Sequence, residues 1–193
     1  MKKLAVVAAV ALAGACSSGP KPVPQATCDN GPGWTCTGSG PCQDAENKGK
    51  LCAVGIADNV SSFALGMETA STRARVAMGA VIKTKVDGFT RAVQDSMSKA
   101  GQGEESIQKI GNVAQSVVEQ TLFGVSIPKT HFNKEGKIFF AQAMVDPKTL
   151  LDALKGMKQA GTLTEEIKAE IDKRAEGLVN EWVGERERAN PAN

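Results

Sequence analysis

From Lys50 onward, apolar positions fall into two alternating periods. Leu51 to Ala57 is a short, nearly continuous apolar run, the pattern of a buried strand. Apolar residues then recur at every third or fourth place: Met67, Ala70, Ala74, Met78, Ile82, Val86, Phe89, Val93 and Met97. That spacing keeps one face of a helix apolar and predicts a helix over 64–99. Gly66, Gly79, Gly88 and many alanines lower its propensity but let a partner surface come close. Gly101 and Gly103 break it. A second amphipathic stretch over 104–122 turns Ile107, Ile110, Val113, Ala114, Val117 and Val118 inward. Its first turn carries Glu104 and Glu105, where the helix dipole favours negative charge. Segments 123–132 and 137–145 are rich in strand formers and flank the turn Asn133-Lys134-Glu135-Gly136, which predicts a hairpin. Pro128 cannot donate to a sheet ladder, so the first of these strands is interrupted there or lies at an edge. Pro147 opens a third helix over 148–159. Thr162 and Glu165 have the spacing of a capping box for a fourth over 163–188, burying Ile167, Ile171, Leu178 and Trp182. The expected architecture is α+β: a small three-stranded sheet packed against long helices over about 50–160, with a C-terminal helix and tail over 161–193.

The N-terminus follows different rules. Met1-Lys2-Lys3 is a basic start, Leu4 to Ala13 is apolar, and small residues follow, the pattern of a secretory signal peptide over 1–15. Ten helical residues rise only about 15 Å, half of what a bilayer span needs. Leu12-Ala13-Gly14-Ala15-Cys16 is similar to a bacterial lipobox, although its aliphatic residue sits one place further upstream than usual. Ala13-Gly14-Ala15 also satisfies the A-x-A signal that would release a soluble protein. The chain has five cysteines, an odd number that needs explaining in an exported protein. Using Cys16 for lipid, a diacylglycerol and a further acyl chain such as palmitate, leaves an even set. Ser17 stands where an aspartate would retain a lipoprotein in the inner membrane, so the expected location is the outer membrane. Residues 16–27 then form a lipidated tether. Pro20, Pro22 and Pro24 favour an extended path, and Ser17 to Thr27 could reach roughly 34 Å.

Residues 28–52 form a loop-rich segment holding Cys28, Cys36, Cys42 and Cys52 among Gly31, Pro32, Gly33, Gly38, Gly40 and Pro41. Four cysteines allow three pairings. No C-x-x-C pair occurs and the chain has one histidine, so two structural disulfides are expected rather than a zinc site. The glycine-rich run lacks the G-x-x-x-x-G-K-[ST] pattern of a phosphate loop.

Without the signal about 178 residues remain, enough for one domain. A net charge of +2 gives no footprint for nucleic acid, and 4% aromatics with no tyrosine offers few rings for base stacking. His131 reads as a half-exposed sheet residue. Neighbouring Glu165 and Glu166 point in different directions on a helix and form a solvated start, not an acid/base pair. The methionines fall on core positions, and Trp34 and Trp182 read as packing anchors. Arg73, Arg75, Lys83 and Lys85 read as the wet face of the first helix. No catalytic residue, cofactor site or metal site is expected, and the chain reads as a non-enzyme.

Three stretches carry a family likeness: Gly33-Trp34 through Gly38-Ser39-Gly40, then Ala53-Val54-Gly55-Ile56-Ala57, then Ala70-Ser71-Thr72-Arg73-Ala74-Arg75. Together they resemble the Lpp-twenty family of outer-membrane lipoproteins, which includes the flagellar ring component FlgP. In that family a V-G-x-A strand precedes a helix rich in A-x-x-x-A-R. Later G-V-x-I and G-x-x-[FY] strands are matched by Gly124-Val125-Ser126-Ile127 and Gly136-Lys137-Ile138-Phe139. The likeness spans about 33–154. It departs from the family in the clustered cysteines and the long last helix. It implies an outer-membrane-anchored lipoprotein with a structural or assembly role in the envelope, associating with itself or with other envelope proteins. The alternative of a different class is a lipid-tethered periplasmic binding module for a small ligand or partner protein, which would need a concave apolar pocket with a few polar groups.

Overall fold

A computed structural model describes residues 31–159 and 163–189; of the side chains in the last helix, Val179 and those from Trp182 on lie outside the described set. The order is β1 (Ser39–Pro41), β2 (Leu51–Ala57), α1 (Phe63–Lys99), α2 (Glu104–Phe123), β3 (Ser126–Asn133), β4 (Ile138–Val145), α3 (Pro147–Gly156) and α4 (Glu165–Ala189). Short 3-10 turns occupy Gly33–Cys36, Ala45–Asn47 and Met157–Gln159.

The sheet is antiparallel throughout and has four strands in the order β1-β2-β4-β3, where three were expected. The additional strand is Ser39-Gly40-Pro41, paired to Ala53, Cys52 and Leu51. Nothing in those three residues favours a strand by propensity. They are held by the ladder to β2 and by a disulfide, Cys42 to Cys52, whose Cα atoms are 4.9 Å apart. β3 begins at Ser126 rather than 123, because the helix before it runs on through Phe123. Its register shifts between Ser126 and Lys129, the interruption that Pro128 requires. In the hairpin turn the Gly136 N–H donates to Asn133 Oδ1.

One sheet face packs on α1. Leu51, Ala53 and Ala57 of β2 alternate with Phe139, Ala141, Ala143 and Val145 of β4 to meet Ala70, Ala74, Met78 and Ile82. All nine positions of the 64–99 stripe are buried except half-buried Met67. The 37 residues of α1 would extend about 55 Å, further than the sheet, so its second half packs against helices instead. There α2 and α4 pack on α1, and α3 packs on both α2 and α4. Ile167, Ile171 and Ala175 of α4 belong to the same core cluster as the sheet. Leu178 is half-buried against it, and the side chain of Trp182 lies outside the described residues. Thr162 also lies outside them; at the start of α4, Thr164 Oγ1 accepts the Ile167 N–H at 3.5 Å.

The opposite face is buried too. β4 is enclosed on both sides, with Phe140, Gln142 and Met144 pointing away from α1. The cysteine segment covers them: its Gly33–Cys36 turn contacts β4 and β2, and Cys42, Cys52 and Met144 form a second small apolar cluster. The disulfide therefore fixes the cover of this face. Breaking it with Cys42→Ala should lower stability by about 2–3 kcal/mol, mainly by freeing the unfolded chain. Urea unfolding of oxidised wild type against the variant measures this, and an unchanged midpoint would contradict it.

Candidate functional site

Under that cover lies a polar group assembled from three elements. Lys129 and His131 stand on alternate positions of β3, opposite Gln142 and Phe140 of β4. Lys129 Nζ lies 3.3 Å from Asp44 Oδ2 in the cysteine segment. Asp44 is also the N-cap of the Ala45–Asn47 turn, with Oδ1 accepting from the Asn47 backbone N–H at 3.0 Å and from its Nδ2 at 2.6 Å. Gln142 is 1% exposed and its Oε1 has no hydrogen-bond partner; His131 Nε2 is also buried without one. A sealed polar atom of this kind costs about 1–3 kcal/mol unless water reaches it. The His131 ring is tilted over Phe140 with centroids 6.1 Å apart.

Burial pushes the Asp44 carboxyl up, but the Asn47 hydrogen bonds and the Lys129 charge outweigh it and hold the group below its ordinary value. A carboxyl depressed in the folded state stabilises above its unfolded value and loses that contribution as pH falls through the folded one. Asp44→Ala should cost about 1 kcal/mol at neutral pH, chiefly through the lost cap. The difference from wild type should begin to narrow as pH falls below the ordinary carboxylate value of about 3.9 and narrow further through the lower folded value. Paired urea titrations at neutral pH and well below that value check it; an equal cost at both would contradict it. The arrangement can hold an ion pair, order the cover and fix the register of β3.

The residues singled out in the sequence scatter. Cys16 and Cys28 lie outside the described residues. Cys42 and Cys52 form one of the two expected disulfides. Cys36 is exposed with a free thiol, so a second bridge through it is not formed among the described residues. His131 is half-buried, in line with its reading as a sheet residue, and Trp34 is half-buried in its turn. Glu165 is exposed and pairs with Lys168 at 2.7 Å within the same helix start. Among the described residues no group of His, Cys, Asp and Glu could hold a metal ion.

Arg73, Arg75 and Lys83 of the basic cluster are exposed and Lys85 is half-buried, as expected of the wet face of the helix. Lys83 pairs with Asp87 at 2.9 Å. Arg73 donates to the Ile56 carbonyl at 2.6 Å and Arg75 to the Val125 carbonyl at 3.2 Å. These two arginines tie α1 to the end of β2 and to the entry of β3. Between them Gly55 meets the helix backbone: a Cβ there would lie 2.1 Å from both Ala70 O and Ala74 N. The stretches Val54-Gly55-Ile56-Ala57 and Ala70-Ser71-Thr72-Arg73-Ala74-Arg75 thus work as one helix-on-sheet clamp. Asp44, Lys129 and Gln142 were not legible as a group, because only the β3–β4 register and the disulfide bring them together.

Two grooves open between helices. One of about 400 Å³ lies beside Lys158, Lys168 and Asp172, where Lys158 and Asp172 form a 2.7 Å ion pair. The other, about 370 Å³, runs between α1 and α4 along Phe89, Ala92 and Leu178, with Arg174 and Glu181 among its polar lining. Arg174 is held by Glu170 at 2.6 Å and by Ser96 Oγ at 3.2 Å. No family model matches the chain, and no curated protein matches it.

Proposed function

We propose that this chain is a lipoprotein held on the outer membrane by acyl chains on Cys16, with a structural or assembly role in the cell envelope. The observation that carries the reading is the buried Cys42–Cys52 disulfide. Disulfides of this kind form and persist in oxidising compartments, which agrees with the export signal of residues 1–15. The likeness to the Lpp-twenty family supports the outer membrane as destination. Its motif residues here are occupied in packing and in hydrogen bonds to backbone, which suits a scaffold. Val76 and Phe123 add exposed apolar surface suited to association with a second copy or another envelope protein. No described helix is long and apolar enough to cross a membrane, so the anchor assigned to Cys16 supplies the attachment.

A second reading, the tethered binding module, has the groove between α1 and α4 in its favour. Its volume falls in the range of small-ligand sites and its lining mixes apolar side chains with a few polar ones.

Density-gradient separation of envelopes tests the first reading. Wild type should band with the outer membrane, and Cys16→Ser should appear in the soluble periplasmic fraction after cleavage at Ala13-Gly14-Ala15. Wild type in the soluble fraction would contradict the anchor. Cross-linking in cells should give defined larger species, and a purely monomeric pattern would favour the binding module.

A further inference from the structure

The described chain begins at one end of the sheet, and that end carries exposed apolar side chains. Gly31 lies against His131, with 3.7 Å between a Cβ built on it and His131 Cδ2. His131 pairs with Phe140, one step from the pair Phe132 and Phe139 that leads into the hairpin turn. The same end receives the last residue of β2, since Ala57 also pairs with Phe139, and from there the chain enters α1 at Phe63. Phe63 is 59% exposed and Leu65 54%. Phe63 does not dangle. Its ring packs edge-on against Phe132 at 5.4 Å and Phe139 at 5.5 Å, which fixes its position at this end. Lys134 and Lys137 of the turn are exposed nearby, as are Asp58, Glu68 and Glu135. The charge here is mixed, so any attraction of this end for a surface is apolar before it is electrostatic.

We propose that this end of the domain docks onto the membrane that holds the lipid on Cys16, with Phe63 and Leu65 entering the boundary between headgroups and acyl chains. The inference rests on the lipid anchor proposed above and adds an orientation to it. The place where the described chain starts argues for the membrane as occupant. Residues 16–30 separate the lipid from Gly31 and would reach at most roughly 54 Å when fully extended. They join the domain beside His131, at the same end of the sheet as Phe63 and Leu65 but on the face turned away from α1, so the lipid is tied to that end and reaches the two side chains around the sheet edge. A tether of that length holds the two surfaces at an effective concentration in about the millimolar range. A contact too weak to bind a free protein then suffices. An aromatic and an aliphatic side chain beside lysines that can reach outward suit the interfacial layer of a bilayer. Val76 and Phe123 are exposed elsewhere. The Arg75 bond to Val125 and the approach of Leu122 to Gly79 place them at the seam of α1 and α2. Along α1 that is about 20 Å from Phe63. They provide the control.

The test is hydrogen exchange on the lipidated full chain in vesicles of phosphatidylethanolamine and phosphatidylglycerol, compared with the unlipidated Cys16→Ser chain in solution. Amides over 58–66 and 133–138 should exchange about tenfold more slowly in the vesicles. The double variant Phe63→Ser/Leu65→Ser should lose that protection while keeping its acyl chains, and Phe123→Ser should keep it. If the double variant fails to fold, Leu65→Ser alone serves for the comparison. Acylated wild type without added protection at this end would overturn docking and leave the anchor standing. Protection that follows protein density in the vesicle rather than lipid would overturn it in favour of a second copy. A chain whose intact mass shows no acyl group on Cys16 would remove the anchor and docking together.

Discussion

Gly55→Ala is expected to destabilise the protein by about 3 kcal/mol or more, or to prevent folding, although it adds a single methyl group. The methyl carbon would lie 2.1 Å from Ala70 O and Ala74 N and 2.8 Å from Ala74 Cα. All three are backbone atoms of a long helix, so no side chain can swing aside. β2 cannot retreat either, because it is paired on both edges, to β1 and to β4. The helix must lift from the sheet, which would also strain the Arg73 and Arg75 bonds at either side of the contact. Gly88, on the same helix, gives the opposite sign. A Cβ there meets nothing within 4 Å, so Gly88→Ala should stabilise by about 0.5–1 kcal/mol through helix propensity. Urea midpoints of the two variants separate the effects. A loss below about 1 kcal/mol at Gly55 would mean that the helix does not sit this close to the sheet.

Phe89→Ala is expected to cost about 3–5 kcal/mol, because it removes a ring from a site that cannot collapse fully. Phe89 is buried in the second half of α1, beyond the sheet, where α4 brings Leu178 and Arg174 alongside. Its loss would open the existing groove into a larger void between two helices. Equilibrium unfolding measures the cost. A value near zero would show that α4 is not seated on α1 at this level, and would detach the last helix from the common core.

These two sites also show where the sequence was informative. The α1 stripe was legible because one long helix buries one face, and a period of three to four residues has no competing explanation over eight steps. The interruption at Pro128 was legible for an equally local reason: a missing N–H. β1 was not, since Ser-Gly-Pro has no apolar alternation and becomes a strand only because β2 and the Cys42–Cys52 bond hold it there. The strand expected from 123 failed at Phe123, a residue of high strand propensity that is 91% exposed at the end of α2. The exposure of Arg73 and Arg75 was legible in the helical pattern, but their bonds to the Ile56 and Val125 carbonyls were not, because those carbonyls come from other elements. The pairing of Cys42 with Cys52 was open among three choices until the ladder placed Pro41 opposite Leu51.

The proposed anchor on Cys16 is tested most directly by the intact mass of the mature protein taken from cell envelopes. The expected mass begins at Cys16 and carries a diacylglycerol, with or without a third acyl chain. Fragmentation should place that added mass on the first residue, and non-reduced protein should keep the Cys42–Cys52 bond. A mass that begins at Met1, or one that begins at an unmodified Cys16, would contradict the lipid anchor and the envelope role built on it.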